Sequence, residues 1–442
     1  MSPRLTAPRL ILMGFAGFIA IGTLLLKLPW ATPAGGISWI DAFFEATSAV
    51  TVTGLQVVTP ATDFTPFGQV VLVVLIQVGG IGIMTATTLG TLLVGRRIGL
   101  SNLVIVREEL QSPGGFRGTL RLVGQVALIT LGAELVGMVF LTFDFALLRG
   151  FGLLEALGSA GFHAVSAFCN AGFDIFEEGV PHYADDAILN LVFVALIVLG
   201  GLGFPVLSNL YSYRRVGYLT LHSKLVLLTS AVLVVVGFSS VAILEWGNPL
   251  TLGGEPLTTR LLESLFQGVT PRTAGFSTVE YSDMRDSTLL VQIALMFVGA
   301  APASTGGGIK VTTLAFIFLI LLSQVRGEEE VSAFRRTVPR TIIAKALTVL
   351  SLAALLVLLG TIALITSNEE LPLLEALFEV TSALGTVGLS LGSTPDLDPF
   401  GKVLIAFLMF AGRLGPITLI LTLSERSRPE RHRYPEEEIA VG

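Results

Sequence analysis

The stretch 41–55, DAFFEATSAVTVTGL, returns near the other end of the chain as 375–389, EALFEVTSALGTVGL. Aligned on Gly54 and Gly388, the two share Ala42/Ala376, Phe44/Phe378, Glu45/Glu379 and Thr47-Ser48-Ala49/Thr381-Ser382-Ala383 without a gap, with acids at Asp41 and Glu375. Two diverged copies lie between them, AGFHAVSAFCNAGF at 160–173 and ESLFQGVTPRTAGF at 263–276. Internal repetition sets architecture and is read first. Each copy offers about 12 residues of helix, closed by glycine and a large apolar residue. That is too short to cross roughly 30 Å of hydrocarbon, which takes about 20 helical residues.

Long apolar runs flank every copy. Those ahead cover 10–30, 119–147, 223–246 and 341–366; those behind cover 67–95, 187–213, 288–323 and 400–424. The predicted fold class is all-α integral membrane: eight transmembrane helices, arranged as four helix–pore-loop–helix repeats around one pseudo-fourfold pore. The repeats are drawn at 1–105, 106–216, 217–330 and 331–424, with a cytoplasmic tail at 425–442. Irregular backbone at membrane depth is tolerated only inside protein or along a water-filled cavity. Four short segments in one chain therefore point to a common pore.

Composition agrees. Of 442 residues, 52% are hydrophobic and 14% charged, against about 25% charged in ordinary soluble domains. Such a chain could not cover a soluble surface, which excludes nucleic-acid binding, secreted scaffolds and cytosolic enzymes. The single cysteine, Cys169, excludes an intrachain disulfide. The four histidines show no metal-ligand spacing. The run Leu10–Leu28 behind Arg4 and Arg9 exceeds the apolar core of about 7–15 residues found in signal peptides and lacks an A-x-A site, so it reads as a retained first span. The stretch 158–163, GSAGFH, fits no nucleophile elbow.

With the amino terminus inside, 19 of the 27 basic residues fall on the cytoplasmic side and six outside (Lys27, Arg149, Arg260, Arg272, Arg285 and Lys402). This bias orients the chain with both termini in the cytoplasm of a cell membrane. Outer loops instead carry acids, among them Asp41, Glu45, Asp63, Asp174, Glu177, Glu178, Asp185, Asp186, Glu369, Glu370, Asp396 and Asp398. A mouth rimmed with carboxylates concentrates cations. The runs 328–330 and 436–438 read as solvated charge.

A cation leaving water needs its hydration shell replaced, and rings of backbone carbonyls do this without a formal charge. Glycine permits the positive φ that turns carbonyls inward. The candidate ion-binding residues are Thr51, Val52, Thr53 and Gly54; Cys169, Asn170, Ala171 and Gly172; Arg272, Thr273, Ala274 and Gly275; and Gly385, Thr386, Val387 and Gly388. The short helices aim their C-terminal partial negative charge at the same place. Helix C-capping would explain one such glycine, but not four in register. Arg272 has a second reading, as a brace for its short helix.

The span 288–323 is interrupted by AAPASTGGG at 300–308. Proline followed by three glycines breaks a helix, and the freed backbone must line a cavity. Candidate gate residues are Ala303, Ser304, Thr305, Gly306, Gly307, Gly308, Lys310 and Arg413; an ordinary transporter kink is the other reading. Lys310 and Arg413 are the basic residues within spans, where charge is costly and marks function. Each has two roles open to it, tethering helices or controlling flow. Glu134, also in a span, is a cation ligand or a paired, bundle-facing group.

The four segments, together with IQVGGIGIM at 76–84, GAAPASTGGGIK at 299–310 and GRLGPIT at 412–418, resemble the Ktr/Trk/HKT superfamily of K+ transporters, most of all its KtrB branch of pore-forming subunits. The likeness touches every repeat. It implies channel-like K+ uptake, with K+ held at Gly54, Gly172, Gly275 and Gly388 and Na+ as a second ion the family admits. Na+-preferring plant members carry serine in the first segment, so Gly54 favours K+. It further implies that 303–308 is an intramembrane gate, that Arg413 lies near the pore below the filter, and that the chain forms a homodimer in lipid. The implied partner is a cytosolic RCK-type, KtrA-like nucleotide-binding ring subunit, since no nucleotide motif occurs on this chain. Neither an enzyme nor a nucleic-acid partner is implied. The rival class is an alternating-access secondary transporter coupled to Na+ or H+, which predicts interrupted helices in both halves; the sequence shows one strongly broken span.

Overall fold

A computed structural model describes residues 7–33, 36–83, 116–328 and 330–415, with short pieces at 85–86, 88–89, 106–107 and 110. The far part of the 67–95 span, the end of the 400–424 span, the 416–418 end of GRLGPIT, Arg4, Arg96, Arg97 and the tail with its 436–438 acids lie outside the described residues.

Helices dominate. Four are long: α1 (Ala7–Leu26), α4 (Phe116–Phe143), α8 (Leu221–Leu244) and α12 (Arg340–Ser367). Each is followed by a short one: α2 (Trp39–Thr51), α5 (Leu153–Cys169), α9 (Leu257–Val269) and α13 (Leu373–Gly385). Behind these come α3 (Pro66–Ile81), α6 (Ala187–Gly201) with α7 (Phe204–Val216), α10 (Asp286–Phe297) with α11 (Val311–Val325), and α14 (Pro399–Leu414). Starts are written in the sequence. Thr65 and Asp398 cap α3 and α14 just ahead of Pro66 and Pro399, and Ser38 accepts from the Asp41 amide at the head of α2.

The long helices are apolar outside as well as inside. Leu128, Leu131 and Leu135 of α4 are each more than half exposed, as a helix facing lipid requires. Trp30 and Trp39 stand exposed near one end of the bundle, the interfacial position aromatic residues favour. The chain is a multi-pass membrane protein built of apolar helices. Among the described residues four helices are long and apolar enough to span, and the pair 187–201/204–214, bent by 97°, makes a fifth.

That bend corrects the sequence reading. A second break parts α6 from α7 at Gly203 (φ 85, ψ 140), and α3 and α14 end at Gly82 (φ 93, ψ 133) and Gly415 (φ 84, ψ 135), all three glycines in the same left-sided conformation. L-residues are strained there, and the G-x-Φ-G pattern of 79–82, 200–203 and 412–415 supplies glycine each time. A second, smaller departure from an all-α chain is a two-stranded hairpin, Ser332–Ala333 against Arg336–Thr337.

Packing runs in a circle. The second helix α3 packs on its own short helix α2 and on the next one, α5; α6 packs on α5 and α9; α10 packs on α13; and α14 packs on α13 and back on α2. The core lies where the short helices meet, around Phe44, Phe168, Phe266 and Phe378, all buried.

Candidate functional site

Each short helix ends in one backbone pattern. Val52, Asn170, Thr273 and Thr386 take φ of 57°, 60°, 70° and 51°, and two residues on, Gly54, Gly172, Gly275 and Gly388 take 94°, 69°, 79° and 92°. The residue between them is not left-handed in any of the four. Alternating hand along a chain points successive carbonyls to one side, where a strand would point them to both.

The four segments close on one another. A Cβ on Gly54 would strike the carbonyl oxygen of Ala171; on Gly172, that of Ala274 at 3.0 Å; on Gly275, that of Val387 at 2.6 Å; on Gly388, that of Thr53. Each missing methyl would thus meet the carbonyl that precedes the glycine of the next segment, and the fourth returns to the first. No side chain fits there.

Equivalent side chains of the short helices hold the returning chain. Glu45 Oε1 accepts from the Val57 amide at 2.7 Å; His163 Nε2 lies 3.3 Å from the Ile175 nitrogen; the Gln267 amide lies 2.9 Å from Ser277 Oγ; and Glu379 Oε2 accepts from Thr394 Oγ1 at 2.8 Å. Ser48 and Ser382 accept from the Gly54 and Gly388 amides at 3.0 and 3.1 Å. Glu45 is therefore not a mouth carboxylate as the sequence reading had it: it is fully buried and spent on backbone. Asp41 and Asp186 are likewise committed, to Lys402 and Arg149.

Above the glycines opens a cavity of about 590 Å³ that touches Gly54, Gly172, Gly275 and Gly388 together. Asp63, Asp174, Glu178 and Glu280 line it and no lysine or arginine does. Burial pushes the Asp174 carboxyl up to about 6.

Below them lies the loop joining α10 to α11. Backbone bonds tie it to α6 and α7 and across its own base: Ala301 N donates to Gly201 O at 3.0 Å, Phe204 N to Ala303 O at 2.9 Å, and Gly299 N to Ile309 O at 2.9 Å. It also touches the left-handed residues of three segments. Gly307 N donates to Thr386 Oγ1 at 3.0 Å, Thr305 Oγ1 lies 3.2 Å from Asn170 Oδ1, and a Cβ on Gly306 would collide with Thr273 Oγ1. The sequence names these residues singly but not their contacts, because the partners lie 33, 79 and 135 residues apart.

The basic residues divide by partner. Lys310 Nζ donates to the Gly306 and Gly307 carbonyls at 2.9 and 3.2 Å, tying the loop to itself. Arg413 donates to the carbonyls of Thr305 and Gly79, joining the loop to α3. The Arg272 side chain is buried and donates to Ser230 Oγ on α8 at 2.9 Å. Glu134 is buried with Oε1 4.0 Å from Cys169 Sγ, facing the bundle.

Known proteins share this sequence and shape. The family profile described as "TrkH: Cation transport protein" matches residues 18–430. Ktr system potassium uptake protein B of Bacillus subtilis is 41% identical, over 99% of this chain and 97% of its own. Potassium/sodium uptake protein NtpJ of Enterococcus hirae is 36% identical, over 99% and 98%. The crystal structure of the potassium transporter TrkH from Vibrio parahaemolyticus superposes with a TM-score of 0.75, covering 96% of this chain and 86% of that one at 20% identity, which is a likeness of fold.

Proposed function

The chain belongs to the TrkH family of cation transport proteins, and from there we propose that it takes up K+ by channel-like permeation through the four glycine segments. The observation that carries this reading is the single acid-lined cavity on which Gly54, Gly172, Gly275 and Gly388 all open. A dehydrating K+ exchanges water for the carbonyl oxygens of 51–54, 169–172, 272–275 and 385–388, in one pore framed by eight spans in four repeats. Asp63, Asp174 and Glu178 raise the local cation concentration. The membrane potential supplies about 2.3 kcal/mol per charge per 100 mV, enough to drive uptake with no second ion.

The loop 299–310 is the gate. It lies against Asn170, Thr273 and Thr386 immediately under the glycines, and its small residues let it repack when it withdraws. Lys310 and Arg413 hold it closed. The chain works as a homodimer with both termini cytoplasmic, and a cytosolic nucleotide-binding ring subunit sets the position of the gate; relatives are named as parts of a Ktr system. Na+ is a poorer second permeant ion.

Purified protein in K+-loaded and K+-free liposomes tests this. Uptake of 86Rb+ is expected under a negative inside potential alone, in proportion to it. Uptake that demands a Na+ or H+ gradient and ignores potential would replace the channel with alternating access, a reading supported by a broken helix in each half, α6/α7 and α10/α11.

A further inference from the structure

Beside the outer mouth, and sharing Pro181, Val279 and Glu280 with its lining, a second cavity of about 400 Å³ lies between the 181–185 turn and the α8–α9 connection. Its rim carries Asp185, Glu255, Glu280 and Asp283, and its floor is Glu263 of α9. Glu263 is 5% exposed, and its Oε2 finds no hydrogen-bond donor among the described residues. The internal repeat shows how unusual this is. Aligning Phe266 with Phe44 and Phe378 puts Glu263 at the position of Asp41 and Glu375. Asp41 has Lys402 at 2.9 Å and Glu375 has the Ser393 hydroxyl. Only the third carboxylate of the set is buried without such a partner.

An isolated buried carboxylate is held at a large free-energy cost unless a cation or donor meets it. The one imidazole in the lining, His182, is engaged by Glu178 at 2.8 Å, and no lysine or arginine lines the cavity. We propose that this cavity is a second cation site, distinct from the conduction path, that takes a hydrated divalent cation of the Mg2+ or Ca2+ kind. The donor set is all oxygen, from carboxylates with the hydroxyls of Thr251, Thr259 and Thr278, which selects hard cations. Five carboxylates around one space exceed what a monovalent ion neutralises. Among the described residues no three acids stand close enough to coordinate an ion directly. The cavity has room for roughly a dozen waters at about 30 Å³ each, so the ion keeps its shell, as Mg2+ commonly does. Bound there, it draws the 181–185 turn toward α9, the short helix of the third glycine segment.

The test uses the full chain in nanodiscs with Mn2+ as probe, free Mn2+ being read from its EPR signal at ionic strength fixed with choline chloride. Wild type is expected to withdraw one Mn2+ per chain, displaced by Mg2+ and Ca2+ but not by an equal concentration of Na+. Glu263→Gln is expected to weaken binding tenfold or more, while Glu375→Gln leaves it unchanged. Thermal melting without divalents reports folding: Glu263→Gln should melt no lower than wild type, since an unpartnered charge has been removed. The rim double variant Glu255→Gln/Asp185→Asn reaches the same cavity from exposed positions and should weaken binding as well. Unchanged Mn2+ stoichiometry and affinity in Glu263→Gln and in the rim variant would overturn the site, as would displacement by Na+ as effective as by Mg2+. Binding is read without transport, so failure here leaves the K+ reading standing.

Discussion

One end of the Arg413 guanidinium donates to the carbonyl of Thr305 in the loop, and the other to the carbonyl of Gly79 in α3. The residue therefore bridges two parts of the chain that sequence separates by more than 200 positions. A fixed charge near a cation path opposes cations, but a charge spent on two carbonyls also holds a lid. Both act in the same direction.

Arg413→Gln should raise 86Rb+ flux. Hydrogen bonds to a charged group contribute about 1.5–3 kcal/mol each, and every 1.4 kcal/mol shifts the loop equilibrium about tenfold, so an increase of about tenfold or more is expected at low open probability. Flux equal to wild type in normally inserted protein would remove Arg413 from gating.

The glycine ring predicts sensitivity to a single methyl. Gly54→Ser forces a side chain toward the Ala171 carbonyl at φ +94, a conformation that costs an L-residue about 1–2 kcal/mol. The ratio of K+ to Na+ uptake rates should fall several-fold, with Gly388→Ser behaving alike because its Cβ meets Thr53 in the same way. Ion preference unaltered in both variants would separate these glycines from selection.

Shortening the loop by removing Ala303–Gly308 takes away its contacts with Asn170, Thr273 and Thr386 together. Uptake should become faster and less dependent on any cytosolic regulator. A slower rate, in protein whose melting temperature is unchanged, contradicts a gating loop.

External pH should matter through Asp174. Its carboxyl titrates near 6 because burial disfavours the charged form, so the charge is present at pH 7.5 and is lost as pH falls through about 6. One charge roughly 7 Å from a permeating ion, at the dielectric of water, is worth about 0.6 kcal/mol, or two- to threefold in uptake at low external K+ between pH 7.5 and 5. Asp174→Asn should flatten that profile at its acid end; an identical profile in the variant assigns the effect elsewhere.

The pair Lys402–Asp41, 2.9 Å apart and about one-fifth exposed, joins α14 to α2 across the seam between the last and first repeats. A double-mutant cycle with Lys402→Met and Asp41→Asn, read by thermal melting, should give a coupling of about 0.5–1 kcal/mol, as for partly exposed ion pairs. A coupling near zero would mean that the seam is held by packing alone.

The four glycine segments, the long spans ahead of them and the break at 300–308 are legible in the sequence, because apolar length, glycine spacing and internal repetition are local patterns; the structure widens the break to 298–310. The helix stops at Gly82, Gly203 and Gly415 are also written in the sequence, as G-x-Φ-G three times, but within the runs 67–95, 187–213 and 400–424, whose unbroken apolar character reads as continuous span. The outer acids were read too uniformly. Composition cannot tell Glu45, buried on the Val57 amide, from Asp63, which faces water in the mouth.

What the chain alone determined was which residues enter the membrane and where helix must stop, since hydrocarbon length and φ preference act on neighbours in sequence. What only the tertiary structure decided was how those stops face one another: that Gly388 closes on Thr53, that Arg272 donates to α8 while Arg413 holds the loop, and that Glu263 lacks the partner its two equivalents have. A buried charge or carbonyl takes its role from whichever atom desolvation leaves within about 3 Å, and here that atom belongs to a distant part of the chain.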